Sequence, residues 1–391
     1  MTVRPFVKHD MIDRDRIMSV AFVCSKDIES RRKGIDQCES AGEKGFWGYF
    51  DDDGKIGACT KNYEFMSYYA GQPVKSGGIG DVCTLPEYRN QGAIRHLLDA
   101  ILNDAYANGE VFSTLYPFNH SFYRKFGYEI FFDLHRYILP PEQLSKIRSD
   151  WKIRRLEYGE EIPLLTKLHN DFGKRYNACI YRTDAHTREE NRGDTYSDLA
   201  SHYLLTKGDE MAYLSYVGTE DDDGPNAAFE IRDYAFASPE GLRAILSLLG
   251  KLTAEHRKIN IRLPEDVPLM SMVSEQYEVK HEAEATMMMR ITNVEAALKL
   301  LPRPADCRFT VAVSDDFLPQ NAATYCVTGD TVTRTDEAPD LIIDIRALSQ
   351  LWIGYLSLDE AKYRPDVQIC ANEELLRSIF VRRPIFTTIG F

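Results

Sequence analysis

This sequence predicts a mixed α/β fold divided into two or three domains, and three observations carry that prediction. Strand-like runs rich in aromatic and β-branched residues alternate with amphipathic runs at helical spacing. The order of these runs recurs once, before and after Leu139-Pro140-Pro141. The chain has 391 residues, and domains run to about 100–200 residues each.

Each element has a local reason. Residues 3–7 read as a short strand, and 14–24 and 29–38 as helical stretches. Residues 46–51 form a strand followed by an Asp53-Gly54 turn, because both residues accept positive φ. Residues 55–69 return as a long strand, and 77–84 form another that Pro86 closes. Residues 92–108 read as an amphipathic helix with Ile94, Leu97, Leu98, Ile101, Leu102 and Ala105 on one face, ended by Gly109. A buried strand over 111–116, a short helix around 121–126 and a strand over 128–138 complete a first unit of residues 1–145. Leu139-Pro140-Pro141 marks its end.

A similar order follows. Residues 151–156 read as a strand, and 162–172 and 188–205 as helices. Residues 211–217 and 227–234 form a hairpin across a polar turn. Ser238 caps a helix over 241–256, with Pro239 at its first position, and a strand follows at 258–262. Residues 146–285 are therefore expected to be a diverged second copy of the first unit. A third unit, 286–391, opens with a strand at 287–291 and a helix at 294–300. Strand pieces follow at 308–313, 325–327, 332–334 and 341–345, then a helix to 355 and a last helix at 373–380. Met287, Met288 and Met289 point alternately to opposite faces of a strand. Core and edge packing suits them better than soft-metal ligation.

Composition excludes several function classes. Net charge is −13, which argues against a nucleic-acid or anionic-membrane partner, since phosphate binding needs clustered Lys and Arg. No apolar run approaches the roughly 18 residues of a membrane span, and the N-terminus lacks the apolar core of a secretory signal. The eight cysteines are scattered, with no C-x-x-C pair and no His at zinc-ligand spacing. They read as reduced core residues of a cytoplasmic protein with no metal. Cys83 lies in the most informative stretch. The sequence names no His/Asx partnership for it, so a thiol in a strand core is the better reading than a nucleophile.

That stretch is residues 80–128. A strand ends at Thr84, and Arg89-Asn90-Gln91-Gly92-Ala93 turns into a helix. A helix N-terminus offers unpaired amides and partial positive charge, Gly92 permits close backbone approach, and Arg89 adds a cation. The turn alone reads equally as an ordinary strand-to-helix connection with a solvated Arg. The wider arrangement resembles the acyl-CoA-binding motif of the GNAT acetyltransferase superfamily. That resemblance implies that Val82, Cys83 and Thr84 line the pantetheine and acetyl group. It implies that Arg89, Asn90, Gln91, Gly92, Ala93 and Ile94 cradle the phosphates of acetyl-CoA. Ile94 stands where many members carry Gly or Ala. The run Phe122-Tyr123-Arg124-Lys125-Phe126-Gly127-Tyr128 is similar to the signature in which a tyrosine protonates the departing CoA thiolate, here Tyr123.

A catalytic unit, a second unit without the phosphate turn and a third α/β segment resemble the enhanced intracellular survival (Eis) family within that superfamily. Ala237-Ser238-Pro239-Glu240-Gly241 stands where the second unit's turn would be, and Glu240 would repel phosphate. The third segment would be a sterol-carrier-protein-like domain. Members end in an aromatic residue whose carboxylate enters the active site, which makes Phe391 the candidate general base. The resemblance further implies acetylation of an amine small molecule, such as an aminoglycoside or polyamine, by a homo-oligomer, often a hexamer. The alternatives are a protein-lysine acetyltransferase and a non-catalytic acyl-CoA or lipid-binding module.

Overall fold

The computed structural model describes residues 1–24, 44–221, 224–254 and 256–387. The helical stretch expected at 29–38 and the candidate base Phe391 lie outside these residues. In chain order the first elements are β1 (Thr2–Pro5), α1 (Asp10–Ala21), β2 (Phe46–Phe50), β3 (Ile56–Tyr69), β4 (Gln72–Thr84), α2 (Ala93–Ala107), β5 (Phe112–Leu115), α3 (His120–Arg124) and β6 (Glu129–Leu139). Next come β7 (Lys152–Leu156), α4 (Ile162–Gly173), α5 (Asp184–Glu190), β8 (Ala200–Lys207), β9 (Glu210–Asp221), β10 (Gly224–Phe236), α6 (Pro239–Leu249), β11 (Lys258–Leu263) and β12 (Lys280–Ile291). The last are α7 (Val294–Leu300), β13 (Arg308–Ser314), β14 (Ala323–Thr328), β15 (Thr331–Arg334), β16 (Leu341–Asp344), α8 (Ile345–Ile353), α9 (Leu358–Ala361), β17 (Val367–Ile369) and α10 (Glu373–Ile379).

Among the described residues, twelve strands form one mixed sheet, ordered β1-β2-β3-β4-β5-β12-β6-β11-β10-β9-β8-β7. A separate sheet of five strands, β15-β14-β13-β16-β17, belongs to the C-terminal part. Helix α1 starts four residues earlier than the sequence suggested. Asp10 explains it: its carboxylate accepts from the Val7 amide at 2.8 Å and pairs with Arg4 at 2.7 Å, pinning the helix start. Met11 and Ile17 are then buried against Phe46 and Phe50.

The expected helix over 188–205 is two elements. Thr183 and His186 form a capping box that starts α5 early, and Gly193 at φ 106° breaks the chain before β8. Residues Ala200–Leu205 are buried on both faces in the sheet, so their apolar run mimics a helix. Strand β12 brings the larger surprise. It pairs with β5 on one side and β6 on the other, in register Met288↔Leu115 and Met289↔Glu129. The boundary expected at 285–286 falls inside this strand. Being central, β12 buries Met287, Met288 and Met289 together, at 2%, 0% and 0% exposure, so none packs at an edge.

Two contacts lock the C-terminal part onto the sheet. Arg290 of β12 ion-pairs with Asp315, both fully buried, and its guanidinium also donates to the Phe126 carbonyl. The chain's C-terminal segment crosses back: the Asn177 amide donates to the Pro384 carbonyl at 2.9 Å, and the Phe386 amide donates to the Asn177 carbonyl at 3.3 Å. The Phe386 ring sits among Phe132, Phe172, Tyr176 and Tyr234. Among the described residues no helix is long and apolar enough to cross a membrane.

Candidate active site

Strands β4 and β5 are parallel neighbours only from Ser76↔Phe112 to Ile79↔Leu115. β5 stops there, while β4 runs on to Thr84. Past Ile79 the two strands are unpaired, which opens a wedge in the sheet. A bulge assists. The β3–β4 register breaks between Cys59↔Cys83 and Lys61↔Gly80, with Asp81 at φ 51°. Tyr63 holds the Asp81 carboxylate at 3.0 Å, and Thr60 holds the Gly80 carbonyl at 2.9 Å. Bulges bend a strand and raise its twist, so the end of β4 turns away from its neighbour.

Beyond β4 the chain turns into α2. Asn90 and Gly92 both take left-handed φ, 61° and 79°. Gly92 is the N-cap and carries no side-chain cap, and the first turn of α2 holds no acidic residue. Its leading amides are therefore available to an anion. A Cβ on Gly92 would come no closer than 3.8 Å to His96, so φ, rather than crowding within the chain, calls for glycine.

A cavity of about 660 Å³ fills the wedge mouth, walled by Val82, Cys83, Thr84, Arg89, Asn90, Gly92, Ala93 and Ile94. Gln91 does not reach it. Its side chain donates to the Glu87 carbonyl at 2.7 Å and braces the turn from behind. The cavity also takes in residues that sequence reasoning passed over: Arg95, Tyr88, Phe22, Phe118, Phe122 and Phe126. Arg95 was findable, since it sits in the first turn of α2; its guanidinium lies over the Phe317 ring, 5.4 Å from the centroid. Phe22 and Phe118 were not findable, because they reach the cavity only through the tertiary fold, whereas Phe122 and Phe126 stand in the Phe122–Tyr128 run singled out above. Free amides, two arginines, an unpaired strand edge and apolar walls suit a long phosphorylated thioester.

Helix α3 starts at Asn119, whose side chain accepts from the Phe122 amide at 3.0 Å. It sets Tyr123 inward, 2% exposed, with its ring against Phe118 and Phe122 at 5.3 and 5.2 Å. Both of those neighbours wall the cavity, while Tyr123 itself lies behind them. Burial, then the nearby Tyr128, pushes the Tyr123 phenol well above its ordinary pKa. Its hydroxyl makes no hydrogen bond among the described residues, so a proton is held there without a competing acceptor.

A second cavity of about 370 Å³ opens on the other side of this segment, walled by Tyr116, Pro117, His120, Phe132, Leu134, Arg262, Ala285, Thr286 and Thr387. His120 Nε2 and Arg262 Nε are buried there with no hydrogen-bond partner among the described residues. Arg262 is paired to Glu230 at 2.8 Å. Thr387, the last described residue, brings the docked C-terminal segment into this wall. Phe391 lies four positions further on. In the second unit, by contrast, Ser238 Oγ accepts from the Gly241 amide at 3.2 Å, and Glu240 sits in the first turn of α6. That helix start is already capped and carries negative charge.

Comparison with known proteins gives the class. Residues 4–131 and 178–291 each match an acetyltransferase (GNAT) domain family, and residues 294–387 match the sterol carrier protein domain family. An uncharacterized N-acetyltransferase of Streptomyces coelicolor is 23% identical over 331 residues, covering 80% of each chain. A GCN5-related N-acetyltransferase from Anabaena variabilis superposes with a TM-score of 0.87 at 21% identity, covering 100% of both chains. Eis1 from Mycobacterium abscessus superposes at 0.81 with 20% identity, again over 100% of both. With the wedge and the turn at α2, the two GNAT acetyltransferase domain matches make the chain an acetyltransferase. Two GNAT units followed by a sterol carrier protein domain give it the Eis-like organisation.

Proposed function

We propose that this enzyme transfers the acetyl group of acetyl-CoA to a primary amine of a small molecule in a ternary complex, with aminoglycosides and polyamines as the substrate class. The observation that carries the reading is the wedge cavity, which joins an uncapped helix start, two arginines and a free strand edge, with Tyr123 packed behind its Phe118 and Phe122 wall. In it, the turn at Arg89, Asn90, Gly92, Ala93 and Ile94, with Arg95, holds the phosphates, and Gln91 braces that turn. The free edge at Val82, Cys83 and Thr84 aligns the pantetheine arm. Acetyl-CoA supplies the activated thioester carbonyl. A backbone amide near Val82 steadies negative charge on the carbonyl oxygen. Tyr123 holds the proton that the departing sulfur requires, and its delivery needs the Phe118 and Phe122 wall to part.

The amine is assigned to the second cavity. An adjoining cavity of about 280 Å³ shares Arg262 and has Glu189, Glu190 and Glu230 in its wall beside Arg192 and Arg232. Glu230 pairs with Arg262 and Glu189 with Arg192, so Glu190 is the carboxylate of this wall assigned to meet a cationic substrate. Phe391 is the candidate base, and the docking of Phe386 and Thr387 supports it by carrying the segment to this wall. The catalytic unit is the N-terminal one, and a homo-oligomer, a hexamer by family resemblance, is the expected assembly. A thiol-release assay with acetyl-CoA against aminoglycosides, polyamines and lysine peptides tests the reading. Release with small amines is expected. Release only with lysine peptides would make this a protein acetyltransferase, and no release with any acceptor would make the cavity a binding module.

A further inference from the structure

We propose that Cys59 and Cys83 form an oxidative modification site: a peroxide joins them into a disulfide across β3 and β4, and the bridge weakens acyl-CoA binding. The effect on acyl-CoA rests on the function proposed above; the bridge itself does not.

The two residues lie directly opposite each other in the antiparallel register, and their sulfurs are 3.3 Å apart. Opposed residues in such a pair have Cα atoms about 4.5–5.5 Å apart, inside the disulfide range. Closing to the covalent S–S length of about 2.05 Å therefore takes little backbone motion. The thiols are not equivalent. Cys83 walls the cofactor cavity, whereas Cys59 is fully buried behind it under α1. The hydrogen bond to Cys83, together with burial, holds the Cys59 thiol well above its ordinary pKa. Cys83 thus meets an incoming oxidant, and Cys59 resolves the product.

The steps balance. The Cys83 sulfur attacks one peroxide oxygen and the O–O bond breaks, giving sulfenic acid and water. The Cys59 sulfur then displaces that hydroxyl as a second water, and the S–S bond forms. One peroxide accepts two electrons. A small-molecule dithiol reverses the bridge by exchange. The bridge draws the Cys83 sulfur out of the cavity wall toward β3, which changes the lining between Val82 and Thr84.

The test uses the full chain, reduced and then treated with hydrogen peroxide, followed by peptide mapping and calorimetry with CoA. The expected result is a Cys59–Cys83 cross-linked peptide, loss of two of the eight thiols, about tenfold or more weaker CoA binding, and recovery with dithiothreitol. Cys59→Ser should bind CoA normally when reduced, form no cross-link and leave a dimedone-reactive sulfenic acid at Cys83. Absence of the cross-link while other cysteines oxidise overturns the site. A cross-link with unchanged CoA affinity overturns its effect on binding. A reduced wild-type protein that does not bind CoA at all overturns the function proposed above, while the mapping still reports on the cysteine pair.

Discussion

Glu110 is a carboxyl kept out of water. It is 5% exposed, and the Asn62 amide donates to its two oxygens at 2.9 and 3.2 Å. Gly77 makes the room, since a Cβ there would fall 2.3 Å from Oε2. Burial, opposed by the Asn62 bond, lifts its pKa from 4.5 to about 7. The folded state therefore holds a proton that the unfolded state releases between those values. Stability falls as pH rises through that window and levels off above about 7. Glu110→Gln keeps the hydrogen-bond acceptor and removes the charge. It should stabilise the protein by about 2–3 kcal/mol at pH 8 and by little at pH 4, read from urea unfolding at both values. Tyr123 makes the kinetic counterpart. Tyr123→Phe should lower kcat by about 10²–10⁴ with CoA affinity intact; near wild-type turnover in steady-state assays would make the residue a packing aromatic. That Arg89 and Gly92 share a turn into a helix was legible in the sequence because both sit in a short, local pattern. Glu110 was not, because its environment is assembled from β3, β4 and the start of β5.

At the scale of elements, the turn into α2 is where backbone conformation and binding meet. Gly92→Val would find space but not the left-handed φ that the turn needs, and bulky or β-branched residues rarely adopt it. A loss of about 1–2 kcal/mol in stability should accompany the loss of most CoA affinity in calorimetry. If binding survives unchanged, the phosphates lie elsewhere. Helices with one apolar face, such as α2 and α4, could be read from sequence to within a residue or two, and α6 starts at its Ser238-Pro239 signal but ends at Leu249, seven residues before the expected end. The stretch 188–205 could not, because a strand buried on both faces has no alternation to reveal it. The wedge itself was beyond local reading. It exists because β5 is short and β4 is long, and nothing in either strand's own sequence says where its neighbour stops.

At the scale of the whole molecule, the C-terminal segment and β12 knit distant parts of the chain together. Deleting residues 388–391 leaves the Pro384 and Phe386 contacts in place, so the fold and CoA binding should persist while acetyl transfer drops sharply. Unchanged turnover in the truncated protein would move the base to another group. Arg290→Met should be far more damaging to the fold. It strands the buried Asp315 carboxylate at a cost of about 3–5 kcal/mol, visible as a lowered melting temperature. The sequence suggested three consecutive units, and in that frame the placement of residues 280–291 inside the first sheet was invisible, since strand partnership is a long-range property. That placement has a consequence for biosynthesis. On the ribosome, β5 and β6 emerge with a missing neighbour between them, and the gap stays open until residue 291 has cleared the exit tunnel. Until then the nascent chain displays two bare inner edges, the form of β-sheet most prone to pairing with the wrong chain. The twelve-stranded sheet therefore closes out of order of synthesis, its inner strand β12 arriving after the eleven others.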